Sequence, residues 1–410
     1  MKAINCPSSS SVKQAAPSLL ERQLISFLHP RLNKTHGSLH LTLPSGVQCH
    51  FGHNQPAAAV ILHSYRPLAR LLFGGANGWS EGYLSGEWDS PDLTALIHWA
   101  LSYEDALSSM AKAHFFTGVL HNLYHRQRDN SKQGSKRNIA AHYDLGNDFY
   151  KEWLDPGMTY SAALFEQPTQ PLEDAQRNKY ARILEMLNAN PGDHIAEIGC
   201  GWGGFAEQAA VEHDLDVHGV TLSQEQLAWA KARIRNAALE KKVHLSLTDY
   251  RDLNHQYDGI VSIEMFEAVG EAHWDTYFQT LKRILKPGGN VVLQVITIDD
   301  ERFQTYRKQA DFIQRYVFPG GMLPSIEALQ DKFELHGFAL EQKLLFGPDY
   351  AHTLRHWRDA FEARWNTIKS QGFDERFYRL WRYYLAYCEG GFDQGSINVG
   401  LYQLKRTDVK

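Results

Sequence analysis

The segment HIAEIGCGWGG, His194 to Gly204, constrains the fold of this chain more than any other. An apolar run ends in Gly199, Gly201, Gly203 and Gly204, and a helix-forming stretch follows. Glycines tolerate positive φ and let a ligand approach the main chain, while a helix N-terminus offers free N–H groups. Downstream, LDVHGVTL, VHLSLTD, YDGIVSIE and GNVVLQVIT read with HIAEIGC as buried parallel strands. SQEQLAWAKARIRNAALE and HWDTYFQTLKRIL read as helices between them. That alternation implies an α/β chain with a doubly wound, mostly parallel sheet. A long helical insertion is expected from Asp299 to Arg315, then the segment SIEALQDKFELHGF, a strand at ALEQKLLF, aromatic-rich helices from Asp349 to Cys388, and a last strand, INVGLYQL.

With 410 residues the chain is long enough for two domains. We divide it into a loose Ser/Pro-rich tail at 1–18, a smaller α+β domain at 19–125, a basic linker at 126–138 and the main α/β domain at 139–410. The α+β domain opens on the helical LLERQLISFLHPRL, followed by a β-hairpin about Pro44-Ser45-Gly46. The linker region carries Arg126, Arg128, Lys132, Lys136 and Arg137 against the single acid Asp129. It reads as a solvated connector, or as a patch drawn to anionic lipid at about 1 kcal/mol per charge.

A net charge of −5 argues against phosphate-driven nucleic-acid binding. Cys6, Cys49, Cys200 and Cys388 form no CxxC pair, so no zinc site or disulfide framework is indicated. His121 and His125 are four apart but lack a carboxylate partner, and no metal is expected. The first residues contain no apolar leader, and there is no apolar run of about 18 residues. A cytoplasmic protein that meets lipid from the surface is expected, on the inner face of the membrane.

The glycine turn alone is ambiguous, since Gly199-x-Gly201-x-x-Gly204 also fits a dinucleotide fingerprint. A nicotinamide site wants an acid about 20 residues later. Here the second strand ends Gly219-Val220-Thr221. An acid instead precedes the first glycine by two, Glu197, and this placement resembles the first motif of S-adenosylmethionine-dependent methyltransferases. Asp249, ending the third strand, is a candidate acceptor for the adenine amino group, or else a loop acid. LKPGG, Leu285 to Gly289, also resembles those enzymes.

The resemblance then narrows. RNIAAHYDLGNDFYKEWLDPGMTYSAALF, LEDAQRNKYARILEML, IGCGWGG, GVTLSQEQ, DYRDL, MFEAVG and RYVFPGGMLPS are similar in order and spacing to the cyclopropane fatty acid synthase family. The match runs from about Arg137 to the C-terminus. The hairpin with SEGYLSGEWDSPDL resembles the amino-terminal domain of phospholipid-acting members. The resemblance implies a class I methyltransferase fold, with a seven-stranded sheet and helical insertions around a lipid site. It also implies transfer of the sulfonium methyl to a cis double bond of an acyl chain. A carbocation results, bicarbonate takes a proton from the new methyl, and a cyclopropane ring closes.

Carried over, Tyr160, Ser161, Gly199 and Gly201 would touch the cofactor, Thr221 and Gln226 its ribose and methionine side, and Ile263 its adenine side. The bicarbonate positions correspond to Ala162, Glu267, Gln294, Ile296 and Tyr316. The family has cysteine where Ala162 stands and histidine where Gln294 stands. Alanine keeps the main-chain donor. Glutamine donates a hydrogen bond but cannot shuttle a proton. Tyr143, Phe165 and Phe318 are candidates for the acyl tunnel. Trp357, Phe361, Trp365, Phe377, Trp381 and Tyr384 form helical stripes better suited to a core.

The leading expectation is cyclopropanation of unsaturated phospholipid. The alternatives are a methyl- or methylene-branched product, with or without a partner reductase, a small-molecule C- or N-methyltransferase, and an inactive lipid-binding module. A homodimer is a further expectation, through avidity on a curved surface.

Overall fold

A computed structural model describes residues 16–32, 37–53, 55, 57–103 and 145–407 of the chain. The basic linker, His121, His125 and Tyr143 lie outside the described residues. Two compact units divide the chain, Met1–His114 and Phe115–Lys410.

In the first unit α1 (Leu19–Leu32) precedes the hairpin of β1 (Ser38–Thr42) and β2 (Gln48–Phe51). Its turn closes through Leu43 N–H to Val47 O at 2.8 Å, with Gly46 at φ +87°. The sequence reading missed β3 (Ala57–Leu62), which pairs parallel with β1. After α2 (Arg66–Leu84) comes the short β4 (Trp88–Asp89), which completes a sheet ordered β2-β1-β3-β4, and α3 (Leu93–Ser102) follows.

The second unit opens with α4 (Asn147–Tyr150) and α5 (Leu172–Leu187). Then β5 (His194–Ile198), α6 (Gly204–His213), β6 (Asp216–Thr221), α7 (Gln224–Asn236), β7 (Val243–Leu247), β8 (Tyr257–Ile263), α8 (Trp274–Ile284) and β9 (Leu285–Ile298) alternate as expected. The seven-stranded sheet is ordered β10-β11-β9-β8-β5-β6-β7, with β10 (Phe338–Leu345) and β11 (Ile397–Arg406) antiparallel at one side. This is the class I methyltransferase architecture. The chain runs from β5 through β6 to β7 and then returns to place β8 on the other side of β5. Such a reversal opens a crevice at the carboxyl ends of the two strands.

Helix α8 shows why the sheet face is dry. Trp274, Tyr277, Phe278, Leu281 and Ile284 are buried at helical spacing and join Val291, Leu293 and Val295 of β9 in one core.

The expected long helix at Asp299–Arg315 is instead two short ones, α9 (Asp300–Tyr306) and α10 (Phe312–Tyr316). Asp311 breaks it. Its side chain accepts from Gln314 N–H at 2.9 Å while the Gln314 side chain accepts from Asp311 N–H at 3.1 Å, a reciprocal cap that starts a new helix. Beyond α11 (Ile326–Leu335), the aromatic-rich region forms α12 (Gly347–Ser370) and α13 (Glu375–Asp393).

Candidate active site

At the ends of β5 and β8 lies a cavity whose walls include Tyr160, Ser161, Glu197, Gly199, Gly201, Thr221, Gln226 and Ile263. Gly199 has φ +84° and Gly201 φ +50°, and both backbones need glycine's freedom. A Cβ at Gly199 would stand 2.9 Å from the Met265 side chain. Thr221 Oγ1 donates to Gln226 Oε1 at 3.0 Å, and Ser223 caps α7 by accepting from Gln226 N–H at 3.2 Å. Glu197 is buried, and its Oε2 has no hydrogen-bond partner. A buried orphan acceptor beside an open glycine turn suits a ligand that brings donor groups. The residues therefore fit S-adenosylmethionine.

Asp249 is placed differently. Its carboxylate takes a two-point grip from Arg251, at 2.8 and 2.7 Å, and caps the short turn at Tyr250–Asp252. Thr248, Tyr250 and Arg251 line the cavity around it, whereas Asp249 is not among its walls. Trp202, which sequence reasoning passed over, is a wall residue fixed by its Nε1 donating to Asn147 Oδ1 at 2.7 Å.

Next to the cavity, residues 161–165 are pegged atom by atom. Gln176 Nε2 donates to Ser161 O at 2.8 Å, Lys179 Nζ to Ser161 Oγ at 2.7 Å, Ala163 N–H to Thr353 Oγ1 at 3.1 Å and Phe165 N–H to Asp349 Oδ2 at 3.0 Å. Ala162 N–H points at Glu264 Oε1, 2.8 Å away. Gln294 Nε2 donates to the same oxygen at 2.7 Å, and Tyr350 OH donates to Glu264 Oε2 at 2.6 Å. Glu267 Oε1 in turn accepts from Ile296 N–H at 2.6 Å. So Ala162, Gln294, Glu267 and Ile296 do gather, but about two carboxylates of the chain itself. Tyr316, on α10, lies with its ring tilted against that of Phe312, centroids 5.3 Å apart.

Tyr160 joins this region to an aromatic wall. Its hydroxyl is 2.8 Å from that of Tyr384, and its ring lies 5.2 Å from Trp357 and 5.5 Å from Trp153 and Tyr150. Trp357, Phe361 and Trp381 are buried, and Phe149 ties Phe361, Phe377 and Trp381 together. The stripes pack as a core whose inner edge reaches the cavity through Tyr160. Phe318 stands 6.0 Å from Tyr384, and Phe165 meets His352 at 4.5 Å.

Burial dominates the electrostatics. It pushes the carboxyls of Glu197 and Glu267 up to about 8, the first opposed by Lys179 and the second raised further by Glu264. It also raises Glu264, while Tyr350, the Ala162 N–H, Lys179 and Gln294 act the other way. The fully buried Lys179 ammonium is brought down to about 7, against the pull of Glu264, Asp155 and Glu197. The motif residues near the glycine turn were readable one by one. Glu264, Lys179 and Tyr350 were not singled out, although an acid ending the apolar run of β8 and a lysine on the buried face of α5 are detectable signals.

Residues 130–402 match the model of the family described as mycolic acid cyclopropane synthetase. The chain is 38% identical over 386 residues to the tuberculostearic acid methyltransferase UfaA1 of Mycobacterium tuberculosis, covering 92% of this chain and 90% of that one. It is 37% identical to the cyclopropane-fatty-acyl-phospholipid synthase of Escherichia coli K12, over 80% of this chain and 83% of the relative. The solved mycolic acid cyclopropane synthase CmaA1, complexed with SAH and CTAB, superposes with a TM-score of 0.62 at 31% identity, over 66% of this chain and 98% of that one.

Proposed function

Because the chain belongs to the mycolic acid cyclopropane synthetase family of S-adenosylmethionine-dependent methyltransferases, we propose that it methylates a cis double bond of an unsaturated phospholipid acyl chain through a carbocation. The observation that carries this reading is the cavity at the β5 and β8 ends, with its glycine turn, the orphan Glu197 oxygen and the Thr221–Gln226 pair, opening beside the aromatic wall about Tyr160. Bound S-adenosylmethionine supplies a methyl group already activated by its sulfonium, so the protein needs no acid to create the electrophile. Its own task is to hold the alkene close, exclude water and face a cation with aromatic rings. Tyr160, in the cavity wall and backed by the rings of Trp357, Trp153 and Tyr150, offers such a face.

Proton loss ends the reaction, and two isomeric products can follow. In the relatives named cyclopropane synthases the ring closes. Here Ala162 and Gln294, with the Glu264 carboxylate bonded to both, favour a methyl- or methylene-branched alkene. The test is incubation with unsaturated phospholipid vesicles and methyl-labelled cofactor. Recovered acyl chains should be one CH2 heavier, and ozonolysis should cleave the branched product while sparing a ring. Absence of S-adenosylmethionine binding by titration would leave only the inactive lipid-binding module.

The acyl chains are reached from the membrane surface in this reading. Among the described residues no helix is long and apolar enough to cross a membrane. On α2, Leu72 and Phe73 are 48% and 77% exposed. Burying side chains of this size is worth about 1.5–3 kcal/mol each. Leu72→Ser with Phe73→Ser should therefore weaken sedimentation with vesicles at least roughly tenfold, while activity on detergent-dispersed lipid stays unchanged. Equal vesicle binding would remove α2 from the contact.

A further inference from the structure

We propose that Glu264 is the base that resolves the carbocation, a carboxylate of the chain itself standing in for bicarbonate. This rests on the methylation reading above.

The main-chain and amide donors expected to hold bicarbonate are already engaged by carboxylates of the chain itself. Three of its expected positions spend their contacts internally: Ala162 N–H and Gln294 Nε2 on Glu264 Oε1, and Ile296 N–H on Glu267 Oε1. Gln294 Nε2 also faces Ala162 O at 3.4 Å, so both of its neighbours are acceptors and it serves as a donor. Tyr350 completes the set on the other oxygen of Glu264. Donors on both oxygens are the surroundings of an anion. Glu264 and Glu197 are the acids among the cavity's lining residues, and Glu264 shares those walls with Tyr160 and Gly199.

The backbone carries a second sign. Glu264 sits at φ +47°, a left-handed conformation that costs a non-glycine residue energy and tends to persist at functional sites. Its N–H donates to Gln294 O at 2.9 Å, so main chain and side chain are both tied to residue 294. Burial, by raising the carboxyl, makes the carboxylate a stronger base than a solvated one.

The step balances without oxidant or reductant. The alkene electron pair forms the new carbon–carbon bond as the carbon–sulfur bond breaks, with its pair leaving on sulfur. Glu264 then takes a proton from carbon, and the C–H pair left behind forms the alkene or ring bond. The proton passes to solvent from the carboxyl group.

The assay is methyl transfer to unsaturated phosphatidylethanolamine vesicles in carbonate-depleted buffer, alongside S-adenosylmethionine titration of each variant. The unaltered protein should be equally active with and without added bicarbonate. Glu264→Gln, which keeps an acceptor for Ala162 N–H, should lose about a hundredfold in turnover with cofactor affinity within a few fold. Glu264→Gly suits the positive φ, and formate or bicarbonate should restore part of its activity. Dependence of the unaltered protein on bicarbonate, full turnover by Glu264→Gln, or a folded, cofactor-binding Glu264→Gly that neither anion rescues would overturn the assignment. No transfer by the unaltered protein to any unsaturated lipid would defeat the methylation reading instead.

Discussion

Trp357→Ala should cost about 3–5 kcal/mol of stability and most of the activity together. Trp357 is fully buried on α12 and packs edge to face on Trp153 at 5.7 Å and on Tyr350 at 6.0 Å, with Tyr160 at 5.2 Å. Removing the indole leaves a cavity that these rings can fill only by moving. Tyr160 would lose a neighbour opposite its bond to Tyr384, and Tyr350 one side of the support that holds its hydroxyl on Glu264. The indole Nε1 itself has no partner, so Trp357→Phe should keep most of the stability. Denaturant midpoints and turnover of the two variants check this. A Trp357→Ala midpoint equal to that of the unaltered protein would show that the aromatic wall is not a packed support.

Above pH about 8, where the buried carboxyl ionises, Glu197→Ala should weaken S-adenosylmethionine binding roughly ten- to hundredfold, the worth of about 1.5–3 kcal/mol for hydrogen bonds to a charged group. Folding should not suffer. The side chain is buried with one oxygen unsatisfied, so relief of that desolvated group offsets the loss of its pull on Lys179. Glu197→Gln, keeping an acceptor without charge, should fall between the two. Isothermal titration with a parallel melting curve separates binding from stability. Unchanged affinity in the alanine variant would move the cofactor's polar contacts elsewhere in the cavity.

The fold was legible because strand and helix periods alternate cleanly from His194 to Ile298. The chain hid the break at Asp311, where a reciprocal cap with Gln314 outweighs an otherwise helical pattern. The glycine turn was legible because its chemistry is local. The Glu264 site was not, because it is assembled across the fold: Ala162 and Glu264 are 102 residues apart, and Glu264 and Tyr350 are 86 apart. Spacing along one sequence carries no trace of such a meeting. Ala162 and Gln294 looked like losses from a bicarbonate pocket, and the structure shows what occupies their donors. Asp249 illustrates the converse, since an acid at the expected strand end spends its carboxylate on Arg251 two residues away.

The most direct measurement follows the label. Vesicles of unsaturated phosphatidylethanolamine and matched vesicles with saturated chains are incubated with methyl-13C S-adenosylmethionine, and acyl chains and headgroups are separated and analysed. Methylation of an acyl double bond places the label in acyl carbon, from unsaturated vesicles alone. Label in the headgroup, or equal labelling of saturated lipid, would contradict it.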